Sequence, residues 1–203
     1  MKIKKLISAL VLGSMLVGLS GCNITDFSAE NLLRPPKAVG DEAEIEQLIA
    51  KTADSGYTLK YPKNGKFRSA IIMTDLDGND SNEAVAFFRN SAETSSVHML
   101  VMYSKDNSWE IASDNIFETT DIDSVDFADL TGNGKAEIIV NSTTYTPNVG
   151  KLSCYSYSEG KTNEVGSGQS CSSFVTGDFD NDGTSEIMSL VLYTTENEAL
   201  ASM

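Results

Sequence analysis

The chain is poor in the residue types on which zinc binding and nucleic-acid binding depend. Its 203 residues include one histidine and three cysteines, whereas a zinc site takes most of its four ligands from these two types. The 15 basic residues are outnumbered by 29 acidic ones, for a net charge of −14. This balance argues against partnership with nucleic acid, which requires a basic surface. It fits cation binding and solubility.

Residues that could form a catalytic centre are equally scarce. A Ser-His-Asp triad would have to use His98, and the chain contains no Gly-x-Ser-x-Gly segment. In the stretch SSVHMLVMY, alternation places Val97, Met99 and Val101 on the face opposite His98. We therefore interpret His98 as an ordinary strand residue, and Trp109 as a packing residue rather than a platform for a sugar.

The sequence has no apolar run long enough to span a membrane. Its longest run, residues 6–19, has 14 residues, whereas a spanning helix needs about 20. Three lysines precede this run and small residues follow it, which is the layout of a secretory signal. The segment Leu19-Ser20-Gly21-Cys22 resembles the lipobox of bacterial lipoproteins. That resemblance implies a lipoprotein signal over residues 1–22 with cleavage immediately before Cys22, lipidation of Cys22, and a chain anchored on the extracytoplasmic face of the cell membrane.

The next segments predict a tether and a helix. Residues 23–40 contain LLRPPKAVG, with no apolar period, and are interpreted as a tether. Residues 41–56 form a short helix and lead-in, because Ile45, Leu48 and Ile49 share one helical face. Asp41 and Glu44 have the spacing of a capping box at its start.

From Tyr57 onward the pattern is that of short strands separated by turns. The strand-like runs fall into three sets, at about 57–119, 120–168 and 169–203, and the last set is incomplete. Each set contains one copy of a nine-residue stretch: DLDGNDSNE from Asp75, DLTGNGKAE from Asp129 and DFDNDGTSE from Asp178. Their starts are 54 and 49 residues apart. Repeats of this period predict an all-β fold, namely a β-propeller built from four-stranded blades. About two and a half blades are present, so the predicted ring is incomplete.

The nine-residue stretches also predict calcium sites. Side chains at positions 1, 3, 5 and 9 of such a loop, with the backbone carbonyl of position 7, converge as oxygen ligands, which calcium prefers. Position 6 requires a sharp turn, for which Gly is suited and Asp80 is tolerated. The candidate ligands are Asp75, Asp77, Asn79, Ser81 and Glu83 in loop 1, Asp129, Thr131, Asn133, Lys135 and Glu137 in loop 2, and Asp178, Asp180, Asp182, Thr184 and Glu186 in loop 3.

The loops differ in how many anionic ligands they offer. Loop 3 has the most, and loop 2 has Thr131 where the other two have Asp, so we expect the affinity to fall in the order loop 3, loop 1, loop 2. The alternative is that these stretches are polar turns without metal. A 12-residue helix-loop-helix site is excluded, because the twelfth positions are Ala86, Val140 and Ser189.

With these loops, residues 57–203 resemble the FG-GAP (VCBS-type) repeats of integrin α-subunit propellers and of many bacterial surface proteins. Together with the lipobox, LLRPPK and YPKNGKFRSAIIMTDLDGNDSNEAVAFF are similar to a group of Firmicute lipoproteins that carry such repeats. The resemblance implies that each calcium loop joins the first two strands of its blade. Thr131 departs from the family pattern and leaves the second site open.

We expect a lipid-anchored binding, adhesion or scaffold module whose partner is a protein or a glycan. The alternative is a propeller enzyme acting on glycans, with its active site in residues beyond this sequence. Three blades do not close a ring, so further blades of a longer chain, or other copies, would be needed. Cys154 and Cys171 either form a disulfide, which export would permit, or are two small apolar strand residues.

Overall fold

The structure is a computed structural model that describes residues 40–54, 56–146 and 148–192. These residues belong to one compact unit, 38–203. The predicted signal, Cys22 and nearly all of the predicted tether lie outside the described residues, and so does the stretch 193–203. No helix among the described residues is long and apolar enough to cross a membrane.

The described residues form one α-helix and eleven β-strands, as predicted for an all-β protein with a single short helix. These are α1 (Asp41–Ala53), β1 (Tyr57–Leu59), β2 (Ile71–Thr74), β3 (Glu83–Asn90), β4 (Val97–Lys105), β5 (Ser108–Phe117), β6 (Ile122–Ala128), β7 (Glu137–Thr143), β8 (Gly150–Ser158), β9 (Lys161–Cys171), β10 (Ser173–Gly177) and β11 (Glu186–Leu190).

The helix begins where the sequence predicts, but without the predicted capping box. Asp41 lies inside α1, and the residue before it, Gly40, has φ +64° and provides no side-chain cap. The Glu44 carboxylate instead accepts a hydrogen bond from the backbone N–H of Trp109, at 3.4 Å. Ile45 and Ile49 are buried, as their helical spacing predicts.

The strands form three antiparallel sheets. Sheet A contains β1 to β5, in which β3, β4 and β5 follow one another and both β1 and β2 pair with the other edge of β3. Sheet B is the four-stranded meander β6-β7-β8-β9, and sheet C is the hairpin β10-β11. Each sheet therefore contains an early hairpin, which is β2-β3 in sheet A (after β1), β6-β7 in sheet B and β10-β11 in sheet C.

The sheets stack on one another through their apolar faces. Val85 and Phe87 of sheet A share one core cluster with Ile138 and Val140 of sheet B. The other face of sheet B packs against Phe174 and Ile187 of sheet C, in a cluster that includes Ile139, Leu152, Cys154 and Cys171. Helix α1 packs on the remaining face of sheet A, where Ala86, Phe88, Leu100 and Trp109 are buried. The order of layers is therefore helix, sheet A, sheet B, sheet C.

The segment between β1 and β2 ties sheet A to sheet B. The backbone N–H of Lys63 donates to the carbonyl of Ile122 at 3.2 Å, and that of Asn64 donates to the carbonyl of Asp123 at 2.7 Å. The ammonium groups of Lys60 and Lys63 lie 2.5 and 3.1 Å from the Asp121 carboxylate. Partial burial would raise the pKa of Asp121, but these two lysines outweigh it and lower the pKa.

The two cysteines of sheet B are buried free thiols, so the apolar-residue interpretation fits the structure and the disulfide does not. Cys171 pairs with Gly150 across β8 and β9, whereas Cys154 lies four residues further along β8. Four residues of strand span about 13 Å, and a disulfide requires Cα atoms within about 7 Å. Burial raises the pKa of both thiols, which reduces their reactivity.

Candidate metal centres

The three nine-residue stretches lie at equivalent places in the fold. Loop 1 (75–83) joins β2 to β3, loop 2 (129–137) joins β6 to β7, and loop 3 (178–186) joins β10 to β11. In each loop the ninth residue is the first residue of the second strand, as Glu83 is in β3. Each loop therefore joins the first two strands that pair as a hairpin in its sheet.

The first aspartate organises the backbone of each loop. The Asp75 carboxylate accepts hydrogen bonds from the backbone N–H groups of Gly78, Asn79 and Asp80, at 2.8 to 3.2 Å. In loop 2, Asp129 accepts from the N–H groups of residues 131, 132, 133 and 134, at 2.7 to 3.2 Å. Asp178 accepts from Asp182 and Gly183, at 3.1 and 3.0 Å. The aspartate at position 1 thus stabilises the turn conformation of the backbone in all three loops.

These hydrogen bonds also change the acidity of the first aspartates. Desolvation alone would raise the pKa of Asp75 and of Asp129. The backbone N–H groups that point at the carboxylates outweigh it, and both pKa values are lowered. Both aspartates are therefore ionised at neutral pH and available to a cation.

Two further hydrogen bonds recur at positions 5 and 9. The ninth residue turns back so that its carboxylate accepts from the N–H of position 2, at 2.8 Å in each loop; the three pairs are Glu83 with Leu76, Glu137 with Leu130, and Glu186 with Phe179. The side-chain oxygen of position 5 accepts from the N–H of position 7; the pairs are Asn79 with Ser81, Asn133 with Lys135, and Asp182 with Thr184. We call this shared set of hydrogen bonds, made by positions 1, 5 and 9, the backbone frame of the loops. Three different sequences build it.

The backbone takes a left-handed conformation twice in each loop. At position 6, the turn predicted from the sequence, φ is +65° at Asp80, +79° at Gly134 and +90° at Gly183. At position 4 it is also positive, and the residues there are Gly78, Gly132 and Asn181, at +74°, +70° and +63°. The left-handed conformation at position 4 was not predicted, although the Gly or Asn at that position in all three loops indicates it.

The carboxylates converge in loops 1 and 3 and not in loop 2. One oxygen from each of Asp178, Asp180, Asp182 and Glu186 lies within 4.8 Å of the others, and Asp75, Asp77 and Glu83 form a similar group. Loop 2 brings only two carboxylates, because Thr131 occupies position 3. Loop 2 thus has the backbone frame of its neighbours without their charge.

Loop 1 contains a buried oxygen that the protein does not satisfy. Oδ1 of Asp77 is inaccessible to solvent and has no hydrogen-bond partner, which is costly for a carboxylate. Beside it, Glu83 is 3% exposed. Desolvation and the charges of Asp77 and Asp75 raise the pKa of Glu83 against the lowering effect of the Leu76 N–H. A cation bound among these carboxylates would satisfy the Asp77 oxygen and offset the charge that raises the pKa of Glu83.

The excess negative charge of loop 1 extends to the neighbouring sheet. Burial, together with the charges of Glu83 and Asp77, raises the pKa of Tyr157 in β8 to about 12. The phenol is therefore neutral at any physiological pH.

Neighbouring loops touch one another through their backbones. The N–H of Ala136 in loop 2 donates to the carbonyl of Leu76 in loop 1 at 3.0 Å, and the N–H of Ser185 in loop 3 donates to the carbonyl of Asp129 in loop 2 at 2.9 Å. A Cβ atom built on Gly78 would lie 2.6 Å from the carbonyl oxygen of Gly134. The three loops thus form one continuous strip along one end of the stacked sheets.

Carboxylates contact both ring nitrogens of His98. Its Nδ1 lies 2.9 and 3.0 Å from the two carboxylate oxygens of Asp114, and its Nε2 lies 3.3 Å from Glu93. The ring stacks on Phe88 with centroids 4.8 Å apart. The only serine of this group, Ser96, donates to Glu93 rather than to the imidazole. Both ring nitrogens are held by carboxylates, which fits the interpretation of His98 as a strand residue.

The chain matches no protein-family model, no curated protein and no solved structure.

Proposed function

We propose that the protein is a calcium-binding surface module, in which loops 1 and 3 each hold one calcium ion and loop 2 holds none. The convergence of three carboxylates in loop 1 and four in loop 3 supports this proposal. The observation that carries it is the buried, unpartnered Oδ1 of Asp77 inside the first group. A cation bound there would supply the missing partner and neutralise the crowded charges.

The chemistry of the ligands favours calcium among the biological cations. All the side-chain ligands are hard oxygen donors, with neither histidine nor cysteine among them, which excludes preference for zinc or copper. The loops provide five candidate oxygen ligands each, close to the six to eight that calcium takes. Magnesium retains its water shell and requires a stricter octahedron.

The sheets that carry the loops are proposed to be propeller-type blades. Sheet B is a four-stranded antiparallel meander, and sheet A has the same β2-β3-β4-β5 order with β1 as an addition. A loop of the same conformation joins the first hairpin of every sheet, and the sheets stack face to face. Helix α1 covers the face of sheet A that the last blade of a closed ring would contact, so the described sheets are proposed to be an open array.

Binding is favoured over catalysis as the role of this array. A lipid at Cys22 would hold the module at the outer face of the membrane, where the stacked loops and their flanking turns face a protein or glycan partner. The His98 group, in which carboxylates hold both ring nitrogens, offers no base to a nucleophile. Calcium would therefore act on structure, by keeping the strip of loops in one shape.

A calcium titration of residues 23–203 by isothermal calorimetry tests the metal proposal. We expect two ions per chain and a higher melting temperature in calcium than in chelator. The triple variant Asp178→Ala, Asp180→Ala, Asp182→Ala should bind one ion, and the control Thr131→Ala should still bind two. The absence of saturable binding and of thermal stabilisation would refute the proposal and leave the loops as acidic turns.

A further inference from the structure

One face of sheet C is apolar, and no other described part of the chain covers it. In the register of the hairpin, Val175 pairs with Met188 and Ser173 pairs with Leu190, so these side chains share a face. Val175, Met188 and Leu190 are 54%, 58% and 50% exposed. The opposite face carries Phe174 and Ile187, which pack on sheet B. We call the exposed side, with Val175, Met188 and Leu190, the outer face of sheet C.

The preceding sheets bury the residues at the same positions. Met188 and Leu190 stand two and four residues after the loop glutamate Glu186. Two and four residues after Glu83, the side chains of Val85 and Phe87 are 0% exposed, because sheet B covers them. Ile139, two residues after Glu137, is also 0% exposed, and its cluster includes residues of sheet C. The outer face of sheet C is thus the same stacking surface as in sheets A and B, without its cover.

The other end of the stack has no matching free surface. Helix α1 places Ile45, Ile49 and Ala53 against Ala84, Phe88 and Leu100, and so covers the face of sheet A that points away from sheet B. A second copy cannot add its sheet C there while the helix remains in place. Head-to-tail association is therefore blocked, so two copies that associate through a free stacking face have to use the same face of sheet C in each copy.

We propose that the outer face of sheet C is a self-association surface, which packs in solution against the outer face of sheet C of a second copy of this chain. Such a contact is isologous and closes at two copies. It covers three apolar side chains, Val175, Met188 and Leu190, that are each about half exposed in a single copy. This inference does not depend on calcium occupying the loops.

The size of the face predicts a weak dimer. Each copy contributes one face of a hairpin whose two strands have five residues each. The surface area that such a face can bury is smaller than the roughly 800 Å² per partner of a stable interface. Apolar contact between two five-residue hairpins should therefore give an equilibrium between monomer and dimer that depends on concentration. Attachment of both copies to one membrane would raise their effective concentration and favour the dimer.

Sedimentation velocity of residues 23–203, which include the whole compact unit, tests this proposal in calcium-containing buffer. We expect the mass to rise with concentration toward twice that of one chain. Met188→Lys should weaken self-association at least about tenfold, because the interface would bury a charge. Val175→Lys should weaken self-association in the same way, and it replaces Met188→Lys in the test if Met188→Lys does not fold. The matched control is Ile116→Lys, since Ile116 on sheet A is also 58% exposed.

Two outcomes would overturn the proposal. One is a wild-type chain that remains monomeric at every concentration; a chain shortened to Leu192 would then show whether residues 193–203 cover the face instead. The other is a dimer that persists in Met188→Lys and Val175→Lys but dissociates in Ile116→Lys, which would place the contact on sheet A. Circular dichroism of each variant distinguishes lost association from lost folding.

Discussion

At the scale of single residues, Glu83 is the side chain whose behaviour should change most when calcium binds. Its pKa is raised by desolvation and by Asp77 and Asp75. A carboxyl group whose pKa is higher in the folded state contributes stability below its unfolded pKa, and that contribution is lost as the pH rises through the folded pKa. Without calcium, the ionised Glu83 therefore destabilises the protein at neutral pH.

We predict that Glu83→Gln changes stability in opposite directions with and without calcium. In chelator at pH 7 the variant should melt at a higher temperature than the wild type, because the amide can still accept the Leu76 hydrogen bond without carrying a charge. The difference should shrink toward pH 4, where Glu83 is protonated. In calcium the wild type should melt at the higher temperature. Thermal melts at the two pH values, with and without calcium, measure all three effects.

The control for this prediction is Glu118→Gln, which removes one negative charge from an exposed position. It should change the melting temperature by the same small amount in calcium and in chelator. If Glu83→Gln behaves like this control in both conditions, Glu83 is not a ligand, and loop 1 has no cation beside it.

The comparison of loops 2 and 3 gives a second prediction for a single residue. Loop 2 already has the backbone hydrogen bonds of its neighbours, since Asp129 accepts from four backbone N–H groups and Glu137 accepts from Leu130. It lacks the carboxylate at position 3. Thr131→Asp should therefore raise the calcium stoichiometry from two to three in calorimetry.

Thr131→Asn is the matched control for this change, because it has the shape of aspartate without the charge. It should leave the stoichiometry at two or add a much weaker third site. A stoichiometry of two in Thr131→Asp would mean that the backbone frame of loop 2 does not place its ligands around a cation.

At the scale of elements, the strip of loops should be sensitive to any side chain added between neighbours. Gly78 and Gly134 both have positive φ, so alanine at either position costs about 1 to 2 kcal/mol from backbone strain. Only at Gly78 would the new Cβ also meet backbone, 2.6 Å from the Gly134 carbonyl oxygen; at Gly134 nothing lies within 4 Å. Gly78→Ala should thus reduce the free energy of unfolding more than Gly134→Ala does, as measured by urea denaturation.

The two alanine variants are controls for each other, since they share the strain and differ in the contact. Equal destabilisation would mean that loops 1 and 2 can move apart at little cost. In that case the backbone hydrogen bond from Ala136 to Leu76 would contribute little to the stacking of sheets A and B.

The elements predicted best are those whose signal is local. The run EAVAFFRN predicts the strand Glu83–Asn90 with the bounds it has, because its β-branched and aromatic residues lie between two turns. The strand Tyr57–Leu59 has no such local signal, since three residues carry no alternation and β1 exists only by pairing with the end of β3. The capping box at Asp41 was wrong because Gly40 takes the position before the helix.

Part of the candidate site was also predictable and part was not. The convergence of carboxylates in loops 1 and 3 and the turn at position 6 were predictable from the nine-residue spacing. The hydrogen bonds between loops do not, because Leu76 and Ala136 are 60 residues apart and meet only when the sheets stack. The free thiols of Cys154 and Cys171 likewise depend on the register of β8 and β9.

At the scale of the whole molecule, the stack has two different ends. Helix α1 covers one end, and the outer face of sheet C is open at the other. Terminal caps of this kind limit the growth of repeat proteins, whose units each contact only their neighbours. If the proposed self-association is right, we expect the helix to have a second role besides stabilising sheet A, which is to determine through which face copies of the chain associate.

We predict that release of the helix converts closed dimers into open-ended assemblies. In the double variant Ile45→Asp, Ile49→Asp, two charges replace side chains that are 1% and 0% exposed, so the helix should leave sheet A. The uncovered face of sheet A would then accept sheet C of another copy, and a contact between two different faces need not close. Sedimentation velocity should show species larger than a dimer, whose size increases with concentration.

Two matched variants identify the faces involved. Ala50→Asp places one charge on the exposed side of the same helix and should leave the monomer–dimer equilibrium unchanged. Adding Met188→Lys to the double variant should abolish the large species, because growth needs the free face of sheet C as well as that of sheet A. If the double variant is folded and forms nothing larger than a dimer, the face beneath the helix does not accept sheet C. The helix would then stabilise sheet A without limiting assembly.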